Sequence, residues 1–72
     1  MTENINVVLT TSPVELYKIL KFEGIAASGA EAKMMIEDGL VMVNDEMETR
    51  KRRKINAGDI IQIDDIFLHI SQ

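Results

Sequence analysis

Residues 28–44 read SGAEAKMMIEDGLVMVN, and this stretch decides the fold. Ser28 followed by Glu31 is a capping box: the hydroxyl accepts from an early helix N–H, and the Glu reaches back to the cap's own N–H. Ala32, Met35 and Ile36 then recur at the i, i+3, i+4 spacing of one helix face. Met35 reads as core filler and Met34, on the opposite side, as a half-exposed apolar residue. Gly39 closes the helix, because a residue just past a helix end often needs positive φ. Val41 and Val43 alternate as a strand, and Asn44-Asp45 reads as a turn. The stretch predicts a short capped helix running through a glycine into a strand. Just beyond it stand five consecutive cations, Arg50, Lys51, Arg52, Arg53 and Lys54. The first unit reads as a scaffold and the second as what it presents.

Upstream, residues 1–4 are polar and read as a frayed end. Ile5, Val7 and Leu9 share one face of a short strand. Ser12, with Pro13 next and Glu15 three residues on, reads as a second capping box with Pro at the first helical position. Leu16, Ile19 and Leu20 form the apolar stripe of that first helix, and Lys18 and Lys21 point away from it. Gly24 ends it. The link to Ser28 is short enough to make the two helices neighbours. Downstream, residues 46–49 read as an antiparallel return strand and Asn56-Ala57-Gly58-Asp59 as a turn. Ile60, Ile61 and Ile63 make a strand, Asp64-Asp65 a turn, and residues 66–70 a last strand. That strand has Ile66, Leu68 and Ile70 on one face and Phe67 and His69 on the other. The first and last strands are expected to pair, since each needs a partner for its backbone groups.

Composition limits the function. Seventy-two residues read as one domain, 1–72, with a small core and modest stability. With no Cys, neither disulfides nor thiolate metal sites support it. The apolar runs are too short to span a membrane and no signal peptide is evident, so a bacterial-type cytoplasmic protein is the expectation. An enzyme needs a nucleophile with its base, tuned carboxylates or a metal cluster. The chain offers one His, His69, and acidic pairs that read as ordinary turn chemistry. It has no glycine-rich phosphate loop. The reading is therefore not an enzyme, with no cofactor, no metal and no small-molecule substrate.

Net charge is −4, yet five of the eight cations sit at 50–54, which leaves three cations against twelve acids elsewhere. Such asymmetry marks a local phosphate-attracting patch on a body that repels polyanions. Five adjacent cations must be exposed. On an extended segment Arg50, Arg52 and Lys54 would share one side, with Lys51 and Arg53 on the other. Arginine forks bind phosphate bidentately, and lysines add point charge. Charge alone leaves three partners open: RNA, DNA, or an acidic protein docked by the basic segment.

The order of helix, capped helix, Gly, V-x-V-N strand, basic stretch and Gly-Asp turn resembles the RNA-binding domain named for ribosomal protein S-four, the alpha-L motif. That family's pattern is roughly R-L-D-x-x-L, a Gly, S-R-x-x-A-R-x-L-I, then G-x-V-x-V-N-G and later G-D-x-I. Leu16 and Leu20 match its first helix. Ser28, Ala32, Lys33, Met35, Ile36, Gly39, Val41, Val43 and Asn44 match the second unit, and Gly58, Asp59 and Ile61 the last. Glu15 and Gly29 stand where the family usually has Arg, Tyr17 where it has Asp, and Asp45 where it has the turn Gly. The segment from Glu48 to Ile55 looks like that of the small stand-alone bacterial branch. The resemblance implies an α+β fold, with two N-terminal helices packed on a small, mostly antiparallel sheet. It also implies a ribosome-associated binder of structured RNA, ribosomal RNA or a ribosome precursor, with no activity beyond binding; a monomer is the expectation. The expected RNA surface comprises Ser28 and Lys33 on the second helix with Arg50, Lys51, Arg52, Arg53 and Lys54, joined by Lys18 and Lys21. With one Tyr and two Phe, stacking of several bases in the manner of single-strand binders has little to work with.

Overall fold

A computed structural model describes residues 2–72. The elements in order are β1 (Glu3–Val8), β2 (Val14–Glu15), α1 (Leu16–Phe22), α2 (Gly29–Glu37), β3 (Val41–Val43), β4 (Glu46–Met47), β5 (Lys54–Ile55), β6 (Ile60–Ile63) and β7 (Ile66–Ser71). Five strands form one sheet in the order β1-β7-β6-β3-β4, and β2 with β5 forms a second, two-stranded ribbon. The first and last strands pair, as expected, and they do so in parallel, while the neighbouring pairs are antiparallel. The expected fraying at 1–4 is corrected: Met1 lies outside the described residues, and Glu3 and Asn4 are already paired with Ile66 and Phe67.

Helices of seven and nine residues are too short to persist alone. Packing holds them. Leu16, Ile19 and Leu20 of α1 and Ala32 and Ile36 of α2 are buried against Val41, Val43, Ile61 and Leu68 of the sheet. The N–H of Glu31 donates to Ser28 Oγ at 3.1 Å, so the predicted cap of α2 is formed. Past α2, Leu40 N–H donates to Met35 O and Gly39 N–H to Ile36 O, with Gly39 at φ +78°. This closing motif satisfies the last carbonyls and needs a left-handed residue. A Cβ at Gly39 would also meet the Met47 sulfur at 3.1 Å.

The second predicted capping box does not form. Glu15, not Ser12, precedes α1, and it makes no side-chain cap. The segment after Pro13 instead pairs as β2 with β5, 40 residues away along the chain. Leu16 N–H donates to Arg53 O at 2.9 Å and Tyr17 N–H to Lys51 O at 3.2 Å. The donors at the start of α1 are thus taken by backbone carbonyls of the basic segment.

Asn44 explains why V-x-V-N and Gly-Asp occur together. Its amide donates to Asp59 Oδ1 at 3.0 Å, and its Oδ1 accepts from Ile60 N–H at 2.9 Å. Asp59 Oδ2 in turn accepts Asn56 N–H at 2.8 Å. The β3–β4 turn and the turn before β6 are therefore one hydrogen-bonded unit.

Asn44 and Asp45 both have positive φ, +52° and +69°, as a type I′ hairpin demands. Glycine adopts this conformation without a Cβ penalty. Asp45→Gly is expected to stabilise the fold by about 0.5 kcal/mol, the gain being partly offset by the freer unfolded chain. A higher urea midpoint at unchanged m-value would establish it.

Candidate nucleic-acid interface

The site is built on one buried acid. Glu48 follows the edge strand β4, and its backbone N–H donates to Val41 O at 2.9 Å, which draws its side chain beneath the basic segment. It is the one charged residue in the buried class among the described residues, 5% exposed. A carboxylate in that position keeps its charge only if partners replace water. Arg50 supplies a bidentate fork, Nε to Oε2 and Nη2 to Oε1, each at 3.0 Å. Its backbone N–H adds a third bond, also at 3.0 Å, and Arg53 Nη1 a fourth at 2.8 Å. The bonds from Arg50, seconded by Arg53, outweigh desolvation and hold the Glu48 carboxyl down at about 2.

This arrangement corrects the expected geometry of the cationic run. Residues 50–53 do not continue as an extended strand. They form a turn closed by Arg53 N–H donating to Arg50 O at 3.3 Å, which brings Arg50 and Arg53 round to the same carboxylate. Nor are all five cations fully exposed: Arg50, Arg52 and Lys54 are, while Lys51 and Arg53 are half-buried. Lys51 Nζ lies 3.3 Å from Glu37 in the last turn of α2, where a cation also faces the negative helix end. Arg52 Nη1 lies 3.5 Å from Glu15, which also pairs with Lys18 Nζ at 3.2 Å. The hydrogen bond from Lys18, with the field of Arg52 and Lys54, lowers the Glu15 pKa.

Around this turn the structure assembles most of the predicted surface residues and leaves two, Ser28 and Lys21, apart. Arg50, Arg52, Arg53 and Lys54 line an open depression of about 460 Å³. That volume is in the range of small-molecule sites, and all four of the residues that line it are Arg or Lys, whose head groups suit phosphate oxygens. Lys18 and Lys33 join through an aromatic ring: Tyr17 has Lys33 Nζ at 4.6 Å from its centroid, Arg52 Cζ at 5.6 Å and Lys18 Nζ at 6.0 Å. Ser28 is exposed at the head of α2, its hydroxyl occupied by the cap bond. Lys21 is exposed on α1, and among the described residues no ion pair or ring contact ties it to the cluster.

Sequence reasoning misses four participants: Tyr17, Glu15, Glu48 and Glu37. In the sequence Tyr17 stands out only as a departure from the family's Asp. Its signal is that it is the chain's sole Tyr, beside a lysine in the first turn of a helix. The local signal at Glu15 is a capping box. The signal for Glu48 is its i, i+2 spacing to Arg50, which puts both on one side of an extended segment. Among the described residues no group of three His, Asp or Glu side chains is placed to hold a metal ion.

A family model described as "S4 domain" matches residues 7–71. The chain is similar to the "Putative RNA-binding protein YbcJ" of Escherichia coli (strain K12), 52% identical over 48 residues, 67% of this chain and 69% of that protein. It is also similar to the "Probable ribosome maturation protein RlbA" of Bacillus subtilis (strain 168), 34% identical over 56 residues, 78% and 79% of the two chains. Among solved structures, the solution structure of YbcJ from E. coli is described as an alfaL motif involved in RNA-binding. It covers 100% of this chain and 90% of its own, with a TM-score of 0.68 and 35% identity.

The Glu48 cluster makes a pH prediction. The carboxyl is more acidic folded than unfolded, about 2 against 4.5. Its stabilisation is therefore complete above the unfolded value and drains away as pH falls from about 5 to 2. The difference corresponds to about 3 kcal/mol at neutral pH. Glu48→Gln is expected to lose about that much stability at pH 7, and the gap to the unaltered chain should close as pH approaches 2. Urea unfolding of both proteins at several pH values measures it.

Proposed function

The chain belongs to the S4 domain family, and from that premise we propose that it binds structured RNA through phosphates, on the surface formed by residues 50–54 with Lys18 and Lys33. The observation that carries the reading is convergence. Cations from α1, α2 and the β4–β5 loop meet on one side of a chain whose net charge is −4. Glu15, Glu37 and Glu48 hold Lys18, Arg52, Lys51, Arg50 and Arg53, so most of the surface is ordered before RNA arrives and less side-chain entropy remains to be lost on binding. A-form RNA displays phosphates and 2′-hydroxyls in a fixed geometry that an ordered surface can match without reading bases.

The names of the two relatives, one for RNA binding and one for ribosome maturation, support ribosomal RNA or a ribosome precursor as the target. In this reading the chain acts as a cytoplasmic monomer that binds without catalysis. No helix of the described residues is long and apolar enough to cross a membrane.

The test separates the cations that fold the loop from those that face outward. Arg50 and Arg53 hold Glu48, so they are poor probes of binding. Arg52→Gln with Lys54→Gln should leave the melting temperature nearly unchanged, because exposed pairs contribute little. The double variant should weaken RNA binding strongly and flatten the slope of log affinity against log salt by roughly two, one per lost phosphate contact. Lys18→Gln with Lys21→Gln should do less, since only Lys18 touches the cluster. A salt-independent affinity in the unaltered protein would contradict phosphate binding.

A further inference from the structure

We infer that Tyr17 is a stacking position for a single unpaired nucleobase, so that the preferred ligand is an RNA helix interrupted by an unpaired nucleotide. The inference rests on the RNA-binding reading above and adds to it the feature of the RNA that is recognised. Tyr17 lies in the first turn of α1 and is only partly buried. One side of its ring rests on α2, where an ideal Cβ at Gly29 would sit 3.8 Å from two ring atoms. Gly29 and Lys33 are one helical turn apart, so the same face of α2 supports the ring and places Lys33 Nζ 4.6 Å from its centroid. Arg52 approaches from the β4–β5 loop and Lys18 from α1 itself.

The chemistry of the set is specific. Three cations within 6.0 Å of one ring centroid offer phosphate contacts next to a flat apolar surface. A phosphodiester chain passing over them would carry its own base to the ring. Aromatic rings and arginine planes both stack bases, and they do so with little regard to base identity. A base within an uninterrupted helix is already stacked on its neighbours, so only an unpaired one can turn toward Tyr17. Phe22 and Phe67 do not share this setting. No cation lies over either ring among the described residues, and Phe67 faces the opposite side of β7 from the core residues Leu68 and Ile70. The platform therefore takes one base, which is why the scarcity of aromatics in the chain does not argue against it.

The probes are two blunt RNA duplexes of equal length, one fully paired and one carrying a single bulged adenine. The unaltered protein should bind the bulged duplex about tenfold more tightly, within the range of one stacked base. Because Tyr17 is the only Tyr in the chain, its ring resonances are a single-site reporter. They should move upfield with the bulged duplex and hardly at all with the paired one. Tyr17→Phe should keep the preference within about twofold, and Tyr17→Leu should abolish it, the two duplexes then binding equally whatever their common affinity. Equal affinity for the two duplexes with unmoved ring resonances overturns the stacking position and leaves phosphate binding intact. Failure to bind either duplex overturns both. The resonance measurement uses the unaltered chain, so it decides the matter even if Tyr17→Leu fails to fold.

Discussion

A single carboxylate, buried to 5% exposure beneath five consecutive cations, governs the interface. Without Glu48 the side chains of Arg50 and Arg53 would lose their common partner. With it, Arg50 and Arg53 are turned inward to one acid, and the turn between them lifts Arg52 to the surface. A buried ion pair of this kind is weak evidence of net stability, because desolvation offsets much of the attraction. What it provides is position. The same turn supplies Arg53 O and Lys51 O to the first N–H groups of α1, so helix and loop cannot be placed independently. Cluster, helix start and the β2–β5 ribbon form one mechanical unit.

Charge is managed similarly across the rest of the surface. Glu15 joins Lys18 to Arg52, and Glu37 holds Lys51 against the end of α2. Each of these exposed pairs is worth little in energy. Together they limit the directions in which long side chains can point. An acidic body carrying a basic surface ordered in this way attracts phosphate locally and discourages contact elsewhere.

What was legible in the sequence was what neighbouring residues decide. The cap at Ser28, the stop at Gly39 and the hairpin at Asn44-Asp45 are each fixed within a few residues, and each formed as read. Alternation in residues 66–70 correctly separated buried Leu68 and Ile70 from Phe67 and His69. The errors came where a distant partner overrode a local signal. Ser12 and Glu15 have capping-box spacing, but pairing with Lys54–Ile55 takes Val14 and Glu15 into a strand. The run at 50–54 has no local reason to turn; the reason is a buried acid and the backbone of α1. Tyr17 becomes part of the surface only once α1, α2 and the loop are packed, and no pattern within its own helix announces that.

The most direct measurement is the RNA affinity of Glu48→Gln, taken under conditions where near-UV circular dichroism shows it folded. The substitution removes a negative charge from beneath a phosphate-binding surface. If affinity depended on charge alone, binding would tighten. If it depends on the order that Glu48 imposes on Arg50, Arg53 and the turn that lifts Arg52, binding should weaken in spite of the more favourable charge. Weaker binding by the folded variant is the predicted result, and tighter or unchanged binding would contradict it.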